Sequence, residues 1–169
     1  MKIYLTGFMG SGKSTLGRRL ARLARLPFID LDREIERREG VAISAIFSEK
    51  GEGYFRMRES AVLREIGSGD DVVVATGGGT PCFGDNMDYM NLTGITVYLR
   101  LGPAALASRL EQSQGSRPLL AGLKGESLRR YIEERLADRE PYYLRARLVI
   151  DTLHADHHLL LERIRGSGC

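Results

Sequence analysis

The chain has no tryptophan, only two cysteines, and no apolar run that approaches the roughly 18 residues of a membrane-spanning helix. Cys82 and Cys169 are too few for a disulfide framework or a metal cluster, which favours a reducing compartment. A strand pattern begins at Lys2, so the N-terminus leaves no room for a signal peptide. We therefore expect a cytoplasmic protein that has no membrane partner.

The positive charge of the chain is the one bulk property that could indicate nucleic acid, since the formal net charge is +3 and the pI is near 9.0. No nucleic-acid-binding signature is present, however. Arg18, Arg22 and Arg25 fall at helical spacing opposite a row of leucines, which is typical of a solvated helix face. We expect no nucleic-acid partner, and we assign the basic excess to a site for a small anion.

A glycine-rich segment, Gly7–Thr15, carries the strongest functional signal. It reads GFMGSGKST, follows a predicted strand and precedes a predicted helix, which is the context of a phosphate-binding loop. Its glycines let backbone N–H groups converge on one anion, and the helix N-terminus adds positive potential. The motif predicts that Lys13 reaches the β- and γ-phosphates of a nucleotide and that the Ser14 hydroxyl binds Mg²⁺. The predicted phosphate-binding residues are Gly10, Ser11, Gly12, Lys13, Ser14 and Thr15.

Strand and helix patterns alternate along the 169-residue chain, which predicts an α/β fold with a parallel sheet between two layers of helices. Apolar runs predict strands over 2–6, 28–30, 72–75, 96–101 and 148–151. Helical periodicity predicts helices over 13–26, 32–38, 43–50, 54–66, 85–91, 103–112, 127–137 and 157–164. We expect one domain over 1–165, a mobile lid over about 112–125, and a frayed tail over 166–169.

Two carboxylates, Asp30 and Asp32, follow the second predicted strand. A phosphate loop works with an acidic residue that helps to hold Mg²⁺, usually after a hydrophobic strand. The strand over 72–75 ends in Thr76 and glycines, so Asp30 is the nearest candidate for this acid. Asp32 could orient an acceptor hydroxyl or take its proton. The alternative is that Asp32 only caps the helix that follows it.

Three consecutive glycines, Gly77, Gly78 and Gly79, follow the third predicted strand. Such a run is costly in backbone entropy if it only turns the chain, and it lets a backbone approach a ligand closely. Ligands in parallel sheets bind beyond the carboxyl ends of the strands. We predict that these glycines form the floor of an acceptor site, although an ordinary loop is the alternative.

Three arginines are candidates for binding anionic groups. Glu59 lies on an apolar helix stripe with Arg56 three residues before it, so the pair is either a structural ion pair or a device that fixes Arg56 toward a ligand. Arg139 extends the apolar stripe of a later helix, and two such arginines suit the bidentate recognition of a carboxylate. Arg117 lies in the predicted lid, where it either serves as an arginine finger or is merely solvated.

Taken together, these motifs resemble the shikimate kinase family over roughly residues 2–151. The resemblance rests on GFMGSGKST, FIDLD, GEGYFRMRES, TGGGTPCF and the pair SRPLL and DREPYY, in that order. It implies a nucleoside monophosphate kinase-like P-loop fold with five strands ordered 2-3-1-4-5. It also implies ATP-dependent phosphorylation of the 3-hydroxyl of shikimate, a step toward chorismate and the aromatic amino acids.

The resemblance assigns a role to each motif residue. On the donor side it implies ATP and Mg²⁺ binding by Lys13 and Ser14, support of the metal through water by Asp30, and a phosphate contact by Arg117. On the acceptor side it implies Asp32 as base, Arg56 and Arg139 on the carboxylate, Glu59 orienting Arg56, Gly78 and Gly79 as backbone donors, and Phe47 and Phe55 as walls. One departure is visible: Leu110 stands where relatives often carry an arginine against the adenine, with Arg109 beside it.

Other functions remain open at this level. A kinase of the same architecture could take gluconate or a nucleoside monophosphate, and a nucleotide-dependent switch could carry the same phosphate loop. Paired arginines favour a carboxylate, and no base pocket or switch motif is evident in the sequence. We expect a monomer whose partners are ATP and shikimate.

Overall fold

The computed structural model describes residues 1–113, 122–153 and 156–167. Its centre is a parallel sheet built from β1 (Lys2–Thr6), β2 (Phe28–Asp30), β3 (Val72–Ala75), β4 (Ile95–Arg100) and β5 (Leu148–Asp151). The strands follow the order β2-β3-β1-β4-β5, which confirms the predicted topology. Every residue of β3 is buried, as expected of a short apolar strand covered on both faces.

Seven helices surround this sheet in the described residues. They are α1 (Lys13–Ala24), α2 (Leu31–Glu39), α3 (Ile43–Ser68), α4 (Asn86–Thr93), α5 (Pro103–Gln112), α6 (Gly125–Tyr143) and α7 (His157–Gly166). A short 3₁₀ turn, Thr80–Cys82, follows the glycines after β3. No helix in the described part of the chain is both long and apolar enough to cross a membrane.

The two faces of the sheet carry separate apolar clusters, which makes the fold three-layered. Successive strand residues point to opposite faces, so Ile3 and Leu5 pack with α1 and α7 while Tyr4 packs with α2, α3 and α4. A third cluster joins the end of β4 to α5 and α6 and contains Phe8 and Tyr98. This third cluster supports the edge of the sheet where the phosphate loop lies.

One predicted helix break is confirmed, and one predicted helix end is wrong. Two helices were expected on either side of residues 51–53, and α3 does consist of two helical segments that meet at a kink. The break is confined to Gly51, whose φ of 82° and ψ of 169° are not helical. Residues 138–143 were not expected to be helical, yet α6 continues to Tyr143 through Pro141. The buried face of α6 runs through Leu128, Ile132 and Leu136 to the fully buried Tyr143, and the packing of Tyr143 keeps this last turn helical.

The predicted lid and tail are described only at their margins. α5 ends at Gln112 and α6 begins at Gly125, so both helices border the expected lid. Most of that segment, including Arg117, lies outside the described residues. Gly166, which was assigned to the tail, is the last residue of α7, and Cys169 lies beyond the described range.

Candidate active site

The phosphate loop follows β1 and leads into α1, as its motif predicts. Gly7 and Gly12 have φ angles of 141° and 95°, a region that residues with a β-carbon rarely occupy. A β-carbon on Gly7 would also lie 2.8 Å from the carbonyl oxygen of Leu99. The loop can therefore take this curled shape only with glycine at these positions.

The side chain of Lys13 lies across the phosphate loop. Its Nζ donates hydrogen bonds to the carbonyl oxygens of Gly7 at 2.7 Å and Phe8 at 2.9 Å. These contacts hold the ammonium group over the first turn of the loop, beside the N-terminus of α1. A cation at this point adds to the field that favours a bound phosphate.

Ser14 and Asp30 are brought together by the register of the sheet. The Ser14 hydroxyl donates to Asp30 Oδ2 at 2.6 Å, and Asp30 Oδ1 accepts from the Arg33 N–H at 3.4 Å as the N-cap of α2. A hydroxyl and a carboxylate oxygen are ligands that Mg²⁺ prefers. Within the described residues, no group of three or more His, Cys, Asp or Glu could hold a metal ion. This donor set fits an ion that keeps waters and binds nucleotide phosphates, as Mg²⁺ does.

Asp32 is not the cap of α2, because Asp30 holds that position; the capping alternative for Asp32 is therefore wrong. Asp32 lies in the first turn of the helix and is half-buried. Burial and the nearby carboxylates of Glu59 and Asp30 raise its pKa to about 6, although Lys13 and Arg56 act in the opposite direction. At neutral pH this carboxylate is mostly ionised, and its raised pKa is in the range that suits a general base.

The triple glycine forms the surface on which the charged side chains converge. A β-carbon on Gly77 would lie 2.8 Å from Glu59 Oε1 and 2.9 Å from Asp32 Oδ1. A β-carbon on Gly79 would lie 2.7 Å from Arg56 Cζ. The corresponding atom on Gly78 would lie 3.3 Å from Arg139 Nη1. The missing side chains therefore make room for two guanidinium groups and two carboxylates.

Arg56 is held by a fully buried carboxylate. Its Nη1 donates to Glu59 Oε2 at 2.8 Å, while the Thr80 hydroxyl donates to Glu59 Oε1. Glu59 has no exposed side-chain surface and that of Arg56 is 14% exposed. Glu52 adds a peripheral ion pair 3.4 Å from Arg56 Nε. The ion pair is therefore structural, and it holds the guanidinium against the glycine loop; that Arg56 faces a ligand there stays a prediction.

Arg139 approaches the same loop from α6, with its Cζ 5.6 Å from the centroid of the Phe8 ring. An aromatic face favours a guanidinium above it and limits the orientations that the side chain adopts. Phe47 and Phe55 flank the other side of the region, with ring centroids 4.8 Å apart, and Arg56 Cζ lies 5.2 Å from the Phe55 ring. The two rings therefore lie beside Arg56, while Arg139 reaches the glycine loop from α6; their roles as a wall and a clamp for a substrate stay predictions.

Leu110, which stands where relatives often carry an arginine against the adenine, belongs to the buried core beside the phosphate loop. Leu110 is 2% exposed, and its Cδ2 lies 3.0 Å from where a β-carbon on Gly10 would be. Arg109 Nη1 instead approaches the carbonyl oxygens of Gly10 at 3.5 Å and Ser11 at 3.4 Å. The leucine packs under the phosphate loop, and the neighbouring arginine lies along it.

Sequence reasoning missed two residues of this region, Thr80 and Tyr143. Thr80 is buried, and its hydroxyl satisfies Glu59; its position directly after TGGG was the available signal. The Tyr143 hydroxyl donates to the Gly78 carbonyl oxygen at 2.6 Å, a contact between residues 65 positions apart. Tyr143 lies in the DREPYY motif, in which only Arg139 was assigned a role, and nothing local indicated the partner of this tyrosine.

A phosphate loop beside a glycine floor, with two arginines and a carboxylate over that floor, defines a P-loop kinase of a small anionic acceptor. The shikimate kinase family model matches residues 9–165. A shikimate kinase of Parabacteroides distasonis is 49% identical over 150 residues, which are 89% of this chain and 87% of the relative. The chain belongs to the shikimate kinase family.

Solved structures agree with this family. The shikimate kinase of Bacteroides thetaiotaomicron matches with a TM-score of 0.91 and 39% identity over 98% of this chain and 97% of that chain. The shikimate kinase of Acinetobacter baumannii in complex with shikimate matches with a TM-score of 0.84 and 38% identity, over 97% and 90% of the two chains. A deoxyadenosine kinase from M. mycoides, at 18% identity and a TM-score of 0.62 over 98% of this chain and 97% of that chain, shares the fold alone.

Proposed function

We propose that this chain transfers the γ-phosphoryl group of ATP to the 3-hydroxyl of shikimate, giving shikimate 3-phosphate and ADP in the route to the aromatic amino acids. The observation that carries the proposal is the convergence of Asp32, Arg56 and Arg139 on the glycine loop 77–79. Shikimate is a hydroxylated carboxylate, so it needs both a cationic clamp and a base. Membership of the shikimate kinase family supports the same substrate.

The donor half of the site is the phosphate loop with the side chains that lie on it. The amides of residues 10–15 bind the phosphates, and Lys13 exchanges its loop carbonyl contacts for phosphate oxygens when ATP enters. Ser14 and, through water, Asp30 would hold Mg²⁺, which would supply positive charge to offset that of the β- and γ-phosphate oxygens. Arg117, outside the described residues, stays the candidate for a further phosphate contact.

The acceptor half holds shikimate by its carboxylate and its hydroxyl. Arg56 and Arg139 clamp the carboxylate, which a guanidinium binds in a bidentate way. Glu59 keeps Arg56 in place, Phe47 and Phe55 pack against the ring, and the glycine loop donates backbone N–H groups. Bound in this way, the acceptor lies beside Asp32.

The chemical step is an in-line displacement. The 3-hydroxyl oxygen of shikimate forms a bond to the γ-phosphorus while its proton passes to the Asp32 carboxylate. The bond from the γ-phosphorus to the β,γ-bridging oxygen breaks, and the electron pair leaves with ADP. Positioning and electrostatic stabilisation supply most of the acceleration in such a reaction.

The direct test is ADP release from Mg·ATP with shikimate, gluconate, a nucleoside monophosphate, or no acceptor. We expect turnover with shikimate to exceed the other three rates by at least about a hundredfold. A nucleoside monophosphate offers no carboxylate to the arginine pair, and gluconate, although it is a hydroxylated carboxylate, has an open chain instead of a ring to pack against Phe47 and Phe55. Equal ADP release with and without shikimate would overturn the proposal. Faster turnover with gluconate or the nucleotide would reassign the acceptor. A cytoplasmic, monomeric state stays a prediction that gel filtration and fractionation can check.

A further inference from the structure

Tyr143 joins the end of α6 to the middle of the glycine loop. Its hydroxyl donates to the Gly78 carbonyl oxygen at 2.6 Å, and the side chain has no exposed surface. Its ring packs on Tyr98, with centroids 5.1 Å apart and planes inclined by 36°. Because the buried Tyr143 ring is fixed by its packing, its hydroxyl has a fixed position and can in turn fix the position of the Gly78 carbonyl oxygen.

The Gly78 carbonyl belongs to the same peptide unit as the Gly79 N–H. In a planar trans peptide these two groups point in opposite directions, and no cis bond occurs in the described chain. Because the carbonyl faces Tyr143, the Gly79 N–H faces away from the aromatic cluster. Over residues 1–113, 122–153 and 156–167, no acceptor pairs with this N–H. The Gly79 N–H is therefore available to donate a hydrogen bond to a substrate bound over the glycine loop.

A peptide between two glycines turns over easily, since neither flanking residue has a β-carbon to restrict it. A β-carbon at Gly78 or Gly79 would crowd Arg139 or Arg56, so the loop cannot gain rigidity from side chains of its own. A hydrogen bond from a rigid neighbour is the remaining means of selecting one orientation of the peptide. Tyr143 provides that bond.

We propose that Tyr143 is a positioning residue of the acceptor site, whose hydroxyl fixes the Gly78–Gly79 peptide so that the Gly79 N–H is aimed at shikimate. The inference rests on the proposed function, because it assigns the open donor to that substrate. Tyr143 acts through the glycine backbone, and its hydroxyl also interacts with the Arg139 side chain, so the Gly79 amide, read beside the KM for shikimate, reports the backbone role separately. Burial raises the pKa of its hydroxyl, so the group remains a donor over the whole range of enzyme activity.

The principal variant is Tyr143→Phe, with Tyr98→Phe as its matched control. Tyr98 is the other member of the aromatic pair, and its hydroxyl donates to Glu140 Oε1 at 3.0 Å without contacting the glycine loop. Both variants lose one buried hydroxyl. We expect Tyr143→Phe to raise the KM for shikimate about fivefold, in line with one lost neutral hydrogen bond, and to change the KM for ATP less than about twofold. Tyr98→Phe leaves both values within about twofold.

A second measurement needs no variant and therefore does not depend on how well Tyr143→Phe folds. In ¹H–¹⁵N spectra of the wild-type protein, saturation with shikimate shifts the Gly79 amide proton downfield as it gains an acceptor. If the Tyr143→Phe variant folds, its spectrum without shikimate shows a shifted or broadened resonance for the Gly79 amide. The Tyr98→Phe variant retains the wild-type chemical shift of this amide.

The outcomes separate the two proposals. The role of Tyr143 is refuted if the two variants raise the KM for shikimate equally, or if the wild-type Gly79 amide does not respond to shikimate. In either case the proposed function still stands, provided that the wild-type protein releases ADP in a shikimate-dependent manner. If the wild-type protein shows no shikimate-dependent ADP release, both proposals fail. A selective rise in the KM for shikimate together with the amide shift supports the inference.

Discussion

The Ser14 hydroxyl donates to the Asp30 carboxylate at 2.6 Å, which joins the first turn of α1 to the end of β2. The two residues are 16 positions apart and meet because β2 pairs with β3, and β3 with β1, in one parallel register. Asp30 thereby brings a carboxylate from a different strand beside Ser14, whereas β3 carries none at its own end. The Ser14–Asp30 pair is consequently assembled from the ends of β1 and β2, the two strands on either side of β3.

Asp30→Asn tests this metal-binding arrangement. Asparagine keeps the cap of α2, since it caps helices as well as aspartate does, but it removes the charge beside Ser14. We expect the Mg²⁺ concentration for half-maximal activity to rise about tenfold or more, with little change in Tm. Asp156→Asn is the matched control, because Asp156 caps α7 through His158 and Leu159 N–H groups in the same manner. An unchanged Mg²⁺ requirement would contradict the role of Asp30.

Asp32→Asn tests the base. We expect kcat to fall by about 10²–10⁴, because the variant cannot accept the proton, with the KM for ATP nearly unchanged. In the wild-type protein, kcat/KM for shikimate should fall about tenfold per pH unit below about 6, where Asp32 becomes protonated. A pH profile that stays flat down to pH 5, or a variant that keeps wild-type kcat, would rule out Asp32 as the base.

The same variant should stabilise the fold at neutral pH. The pKa of Asp32 is raised to about 6 in the folded state, so the folded protein binds more protons than the unfolded chain between about pH 4 and 6. The contribution of Asp32 to the free energy of unfolding therefore falls as the pH rises from about 4 to 6. We expect Asp32→Asn to raise Tm at pH 8 and to have little effect at pH 3. The opposite sign is expected for Glu34→Gln, because Arg37 and Arg38 lower the pKa of Glu34 to about 2.

Arg139→Ala tests the carboxylate clamp. We expect the KM for shikimate to rise by at least about fiftyfold, as befits a charge-assisted bidentate contact, and the KM for ATP to change only slightly. The control is Arg129→Ala on the same helix, whose side chain is 52% exposed and pairs only with Glu133. Equal losses for both substrates would show that Arg139 does not act on the acceptor alone.

Gly79→Ala tests the close approach of Arg56 to the loop. Gly79 has φ −91°, so alanine is not strained in its backbone, and the effect comes from the β-carbon that would lie 2.7 Å from Arg56 Cζ. We expect a rise of about tenfold or more in the KM for shikimate as the guanidinium is displaced, measured by steady-state kinetics. Gly53→Ala in α3 has open space around it and should leave kinetics unchanged. A wild-type KM in Gly79→Ala would mean that Arg56 can shift without cost.

Much of the donor site was predictable because its parts are contiguous in the chain. The phosphate loop binds with its own backbone, so its glycines, Lys13 and Ser14 carry their signal within nine residues of sequence. Glu59 and Arg56 were likewise predictable as a pair, since three residues of helix bring side chains to one face. The strand order followed from the family resemblance and is confirmed.

Contacts between distant elements were not predictable. The hydrogen bond from Tyr143 to Gly78 and that from Thr80 to Glu59 join residues from separate elements, and no local pattern indicates either partner. Gly51 does interrupt α3, as its neighbours in the sequence suggest. Pro141 also looks like a helix break when only neighbouring residues are considered, but α6 continues through it, so packing decided the length of α6. Burial overrides such local preferences.

The amino-acid sequence by itself determined the class of fold, the phosphate loop and the residue types of the acceptor site, because each depends on local periodicity or on short motifs. Only the tertiary structure decided that Asp30 rather than Asp32 caps α2, that the pKa of Asp32 rises to about 6, and that Tyr143 holds the glycine loop. These properties arise from distances between side chains on different elements. Such distances exist only after the sheet and its helices have packed.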